Sequence, residues 1–322
     1  MPCTDFRAWM QTSLEAIESA INEALPTQAP TKQRRPLGSL EATPLFEALA
    51  YASLGGGKRV RGLLCLASGE ALAADRIACM QAAVALELIH AYSLVHDDMP
   101  CMDNDVLRRG KPTVHVAYGE ATAMLVGDGL QALAFEVLSG IHACGLPSQQ
   151  CLEAVSALAR ASGPQGMVGG QAIDLAVVGA TASSIDLQQL QSMHELKTGA
   201  LLKASVQLGM CCRQRQRLDP NVEALLNQFA AHLGLAFQVI DDVLDESAST
   251  EALGKTAGKD KAQQKPTYVS LMGLTAAGDF AHDLHRQALD CLAQAARLDS
   301  SLHREGIDHL AGLADLIVLR QH

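Results

Sequence analysis

Leu233-Gly234-Leu235-Ala236-Phe237-Gln238-Val239-Ile240-Asp241-Asp242-Val243-Leu244-Asp245 meets no helix breaker on its C-terminal side until past Asp245. Gln238, Asp241, Asp242 and Asp245 stand at i, i+3, i+4 and i+7, which on a 3.6-residue helix is one polar stripe. Phe237, Val239, Ile240 and Leu244 take the remaining faces. A stripe of this kind can be the solvent side of an amphipathic helix. A second acidic cluster, inside another apolar helical stretch, weighs against that reading.

That cluster is Asp97-Asp98-Met99-Pro100-Cys101-Met102-Asp103. Residues six apart on a helix differ by about 240° of rotation, so a continuous helix leaves Asp97 and Asp103 on different faces. Pro100 cannot continue a helix cleanly; the segment is expected to turn there and bring Asp103 back toward Asp97. Upstream, His90, Ser93 and Asp97 extend a polar line along a helix through Val84 to His96. Two carboxylates about 4 Å apart repel by roughly 4 kcal/mol at an effective dielectric near 20. Six around one cavity must take up protons or gather cations. Oxygen ligands without paired His or Cys favour Mg²⁺, or Mn²⁺, over Zn²⁺.

Working outward, the 322 residues are 48% hydrophobic with only 11 prolines, and runs rich in Ala, Leu and Gln point to helices throughout. No run of alternating β-branched residues stands out. No linker halves the chain, so residues 1–322 read as one all-α domain, with 1–40 an N-terminal helix (4–25) and an exposed basic connection. No 18-residue uncharged apolar stretch exists, so no transmembrane helix is expected. The N-terminus resembles neither a signal nor a transit peptide, which makes the cytoplasm the expected location. A net charge of −10 argues against nucleic acid as a partner, because phosphate binding needs a basic footprint. The nine scattered cysteines lack zinc-ligand spacing and read as reduced, mostly buried thiols. Cys101, inside the acidic cluster, is a poor Mg²⁺ ligand and reads as filler.

An acidic, cation-filled cavity calls for an anionic ligand. Gly55-Gly56-Gly57-Lys58-Arg59-Val60-Arg61 is a glycine turn entering a helix, with Lys58 and Arg61 on one face: a diphosphate cradle, or a plain flexible turn. Arg59, rotated away, reads as solvated. Arg108-Arg109 follows Asp103 closely and is expected at the same mouth; pairing of Arg108 with Asp105 is the other reading. Lys197-Thr198-Gly199 sits in an apolar helix expected from Asp186 to Leu208, where a lysine needs a partner. Gly166-Met167-Val168-Gly169-Gly170-Gln171-Ala172-Ile173-Asp174 allows close helix approach, with Gln171 and Asp174 as supporting groups or simple packing. Glu246 to Pro266, with Lys255, Lys259, Lys261 and Lys265, reads as a mobile loop over the site.

Taken together, His90 to Asp103, Leu107-Arg108-Arg109-Gly110-Lys111-Pro112-Thr113, the Gly-Gly-Lys-Arg-Val-Arg turn, Lys197-Thr198-Gly199 and Phe237 to Asp245 resemble the trans-isoprenyl diphosphate synthases, from about residue 40 onward and in order. Within that family the likeness is to bacterial farnesyl diphosphate synthases, whose first aspartate motif carries the two extra residues seen as Pro100-Cys101. The resemblance implies an antiparallel helix bundle around a deep central apolar cavity, in a homodimer. It also implies prenyl transfer from an allylic diphosphate to isopentenyl diphosphate.

On that resemblance, Asp97, Asp103 and Asp241 hold Mg²⁺, three ions with substrate bound, with Asp98, Asp242 and Asp245 at or near them. Lys197, Lys255 and Arg108 contact the allylic diphosphate. Lys58, Arg61, His90 and Arg109 hold isopentenyl diphosphate, and Lys265 matches a further position near the loop. Thr198, Gln238 and the Lys197 carbonyl face the allylic cation. Gly62, where many relatives have proline, loosens a helix start. Tyr92 and Ser93 form the cavity floor, Tyr92 about 7.5 Å below Asp97, which points to a C15 product. C10 and C20 synthases are the near rivals; a silent binding subunit and a class I terpene cyclase are the remote ones.

Overall fold

The structure is a computed structural model and describes residues 4–26, 44–177, 185–214, 218–247 and 266–319. It is all-α, as expected. In chain order the helices are α1 (Thr4–Ala24), α2 (Leu45–Ser53), α3 (Val60–Ala71), α4 (Arg76–Asp97), α5 (Val114–Tyr118), α6 (Glu120–Ser139), α7 (Ser148–Ser162), α8 (Met167–Val177), α9 (Leu187–His194), α10 (Ala200–Cys211), α11 (Pro220–Ser247), α12 (Tyr268–Met272), α13 (Leu274–Leu298) and α14 (Arg304–Val318). A π-helical turn, Glu195–Gly199, joins α9 to α10. One hairpin of two-residue strands, β1 (Leu107–Arg108) and β2 (Lys111–Pro112), pairs Leu107 with Pro112 and Arg108 with Lys111. Strands this short leave no alternation to read in the sequence.

α4 is the central post. Its N-cap Asp75 accepts from the Ala78 N–H at 2.9 Å, and Leu86, Leu88 and Ile89 are fully buried. Each such side chain contributes about 1.5–3 kcal/mol when removed from water. α6 runs along α4, α3 lies between α4 and α10, and α13 packs down the length of α11. α1 and α14 close over α3, where the Trp9 ring stacks on His309 at 4.1 Å and both donate to Glu70.

By length and hydropathy alone, α4 and the stretch Glu120–Cys144 match a membrane span, contrary to the sequence expectation. For α4 burial inside the protein explains the composition. α6 is different: Met124 and Leu125, with Val116 before it on α5, are 42%, 56% and 50% exposed. The eight described cysteines are free thiols; four are buried, and Cys101 is exposed.

Candidate active site

α4 stops at Asp97 and the chain folds back through the Pro100 turn, as the proline suggests. The Asp103 N–H donates to the Asp97 carbonyl at 2.9 Å, Asn104 to Met99 at 3.1 Å and Asp105 to Asp98 at 3.1 Å. Burial pushes the Asp97 carboxyl up to about 6; the Lys197 charge opposes this and the Asp103 charge adds to it. Asp98 points elsewhere. It is 3% exposed and gripped by Arg108, whose Nε and Nη2 donate at 2.6–3.0 Å. Burial works against the Arg108 cation, but Asp98 outweighs it and holds the pKa above the usual value. Arg108 therefore pairs with Asp98 and not with Asp105.

The β1–β2 turn places Arg109 and Gly110 at φ 53° and 75°, the backbone of a two-residue hairpin. Arg109 then reaches the glycine triplet, donating to the Gly56 carbonyl at 2.6 Å. Gly57 has φ 104°, and a Cβ there would meet the Arg109 guanidinium at 2.7 Å. The glycines thus make room for an arginine, a requirement that neither sequence reading of the triplet contained.

Arg59 corrects its sequence reading. It is buried at 6% exposure, not solvated, at φ 45°, and bonds Glu18 on α1 (2.7 and 2.9 Å), the Ser53 carbonyl (2.6 Å) and Glu87 on α4 (3.4 Å). Glu87, 2% exposed, also accepts the Gly62 N–H at 2.9 Å. A proline at 62 has no such N–H to give, so Gly62 ties the start of α3 to α4 and does not loosen it. That bond also takes up one of the helix-start donors the cradle reading left free. Glu87 was legible in principle, a lone acid in Val84-Ala85-Leu86-Glu87-Leu88-Ile89.

Around this strut the pocket is strongly cationic. Burial, then the charges of Arg61, Arg109, Arg108 and Arg59, hold His90 well below its usual pKa, so it stays a neutral imidazole among guanidiniums. Arg61 is held below its ordinary value by burial, against the pull of Glu87 and Asp241, and its Nε is buried without a partner. Lys58 is exposed beside it. Arg61, with its orphaned donor, Arg108, Arg109 and a neutral imidazole suit an anionic ligand.

The helix expected from Asp186 to Leu208 starts on time, capped reciprocally by Asp186 and Gln189, but is interrupted by the π turn. Such bulges re-aim side chains inside a helix. Here the turn carries Lys197 and Thr198. Lys197 Nζ bonds Asp174 Oδ2 on α8 at 2.6 Å, so Asp174 is the partner the lysine needed. α8 comes this close only because residue 170 is glycine: a Cβ there would sit 2.2 Å from the Lys197 nitrogen. His194, ahead of the turn, is pushed down to about 4 by burial, more than Asp174 raises it.

On α11 the stripe is present. Gln238, Asp241 and Asp245 are half-buried, and the Asp241 charge acts on Arg61. Asp242 Oδ2 accepts the main-chain N–H of Tyr268 at 2.8 Å. Below the first cluster Tyr92 is buried, edge-on to His96 at 5.8 Å, and Ser93 donates back to the His90 carbonyl at 2.9 Å. Lys255 and Lys265 lie outside the described residues, as do Lys259 and Lys261.

Among the described residues no three His, Cys, Asp or Glu side chains converge closely enough to hold an ion by themselves. The acids stand as two oxygen-donor groups, one of them with a proton affinity raised by burial. That donor set fits Mg²⁺, which takes one or two carboxylates, keeps waters and completes its shell with substrate phosphates.

Residues 43–298 match the polyprenyl synthetase family. The chain is 44% identical over 301 residues to a probable farnesyl diphosphate synthase of Sinorhizobium fredii, covering 92% of this chain and 86% of that protein. It is 40% identical over 319 residues to a chloroplastic heterodimeric geranylgeranyl pyrophosphate synthase large subunit of Arabidopsis thaliana, covering 99% and 80%. Among solved structures, a geranyltransferase of Helicobacter pylori complexed with magnesium and isoprenyl diphosphate superposes with a TM-score of 0.79 at 31% identity, over 97% of this chain and 98% of that one.

Proposed function

The chain belongs to the polyprenyl synthetase family, and on that footing we propose that it condenses isopentenyl diphosphate with dimethylallyl and geranyl diphosphates to give farnesyl diphosphate. One observation supports the reading: acidic and cationic groups stand within electrostatic reach of each other, Asp97 of Lys197 and Arg108, and Asp241 of Arg61. A terpene cyclase has no use for the second, metal-free anion site.

Asp97, Asp103 and Asp241 would hold Mg²⁺, three ions with substrate bound, which would supply charge neutralisation at the leaving group. Lys197 and Arg108 add cationic donors to that diphosphate. Its C1–O bond breaks with both electrons leaving on oxygen. Thr198, Gln238 and the Lys197 carbonyl offer dipoles to the allylic cation without a nucleophile to trap it. Arg61, His90, Arg109 and Lys58 hold isopentenyl diphosphate so that its double bond supplies the pair for the new C–C bond. A proton then passes to the departed diphosphate, restoring an alkene. Incubation with labelled isopentenyl diphosphate, geranyl diphosphate and Mg²⁺ is expected to give C15; the absence of any condensation product overturns the reading.

The plant relative makes C20 the rival. Tyr92 argues for C15, because a buried ring about 7.5 Å below Asp97 blocks a growing chain. Tyr92→Ala is expected to shift most of the product to C20 or longer with excess isopentenyl diphosphate, read by mass. An unchanged C15 product removes Tyr92 from the floor.

The chain pairs with a second copy through the apolar outer face of α6. Leu125→Glu is expected to give a monomer by light scattering and to lower the melting temperature by several degrees; a dimer that persists moves the interface elsewhere.

A further inference from the structure

The two acidic pairs divide their work in the same way. Asp97 feels the charges of Lys197 and Asp103, while Asp98 is held in a structural contact with Arg108. Adjacent helical residues differ by about 100° of rotation. That rotation gives Asp241 to Arg61 and takes Asp242 to α12, where its Oδ2 accepts the Tyr268 N–H at 2.8 Å.

Tyr268 is the first residue of α12, and its N–H is one of the helix-start donors with no partner inside the helix. The Thr267 hydroxyl serves the Ser270 N–H, so Asp242 is what satisfies Tyr268. The Tyr268 ring is fully buried, 5.4 Å from the His194 ring at the entry to the π turn and 6.2 Å from Phe280 on α13. One residue thus joins α11, α13 and the approach to Lys197.

Building on the prenyl-transfer reading, we infer that Asp242 is a positioning residue: its carboxylate clasps the Tyr268 main chain and fixes α12 on α11, leaving ion binding to Asp241 and its neighbours. A clasp needs only an acceptor oxygen, which a carboxamide also supplies. An ion ligand needs the negative charge. The two roles therefore separate under isosteric replacement.

The test titrates Mg²⁺ against turnover in the full chain, with thermal melting alongside. Asp242→Asn is expected to stay within about fivefold of the parent in kcat and in the apparent KM for Mg²⁺. Asp242→Ala is expected to lose tenfold or more, and Asp241→Asn to raise the Mg²⁺ requirement at least tenfold. If Asp242→Asn falls as far as Asp241→Asn, Asp242 is an ion ligand and the inference is overturned. If Asp241→Asn leaves the Mg²⁺ dependence unchanged, the prenyl-transfer reading of the stripe fails instead.

A second pair reads the same bond if Asp242→Ala does not fold. Tyr268→Ala keeps the N–H and Tyr268→Pro removes it. Proline suits a first helical position, and Thr267 at φ −126°, ψ 161° has the backbone allowed before proline. Tyr268→Pro is expected to raise the Mg²⁺ requirement a further fivefold or so over Tyr268→Ala; equal values overturn the clasp.

Discussion

Gly170→Ala is expected to lower turnover at least a hundredfold and to destabilise the chain by about 3 kcal/mol, the upper range for overpacking. The added Cβ would lie 2.2 Å from the Lys197 nitrogen, 2.5 Å from its Cα and 2.7 Å from its Cβ. The first two are main-chain atoms, which no side-chain rotation can move aside. Nor can the π turn retreat, because on its other side Gly234 of α11 packs so closely that a Cβ there would stand only 3.0 Å from the Gly199 Cα. α8 must therefore withdraw by about an ångström, and the Asp174–Lys197 pair at 2.6 Å goes with it. A misplacement of about 1 Å near a reacting centre costs on the order of 100-fold in rate. Gly278→Ala is the control. It lies on α13 with nothing within 4 Å of an added Cβ, and is expected to be neutral or stabilising by up to about 1 kcal/mol. Urea unfolding and steady-state rates of the two variants decide the matter; parent-like turnover in Gly170→Ala refutes the clamp on Lys197.

The features legible in the sequence are those a local period or a single residue's covalent limits can dictate. The stripe from Gln238 to Asp245 follows from helical spacing. The return of Asp103 over Asp97 follows from Pro100. What escaped depends on groups far apart in sequence. Arg59 looked solvated because helical rotation points it off the Lys58–Arg61 face, yet Glu18 and Glu87 meet it there from two other helices. The glycine triplet looked like an anion cradle because glycines before a helix often are; here it houses an arginine supplied by a hairpin about fifty positions later. The π turn has no compositional mark, since it arises from the squeeze between α8 and α11. The turning of Asp98 to Arg108 and of Asp242 to the Tyr268 main chain has no local mark either, because a motif has no inside or outside until its helices have partners.

The inequality is sharpest at Asp97, where function and stability are expected to pull in opposite directions. Asp97→Asn removes a charge that the Mg²⁺ site needs, and a loss of about 1,000-fold in turnover or more is expected, equivalent to about 4 kcal/mol of transition-state stabilisation. The same substitution is expected to make the metal-free protein more stable at neutral pH. Burial raises the carboxyl from 3.8 to about 6, so the folded state binds the Asp97 proton more tightly than the unfolded chain does. The stability linked to that proton is fully present below about pH 4 and is lost as the pH rises through 6. A shift of about two units corresponds to at most about 3 kcal/mol at pH 7.5. Asparagine has no proton to lose, so in chelator the variant should exceed the parent in urea midpoint at pH 7.5, with the gap closing toward pH 4.5. The parent should also need about tenfold more Mg²⁺ per pH unit below 6, because the ion must then displace the proton. A variant that is less stable than the parent at pH 7.5 would show that Asp97 is held by favourable contacts within the fold, and that its charge is not kept there for the ions.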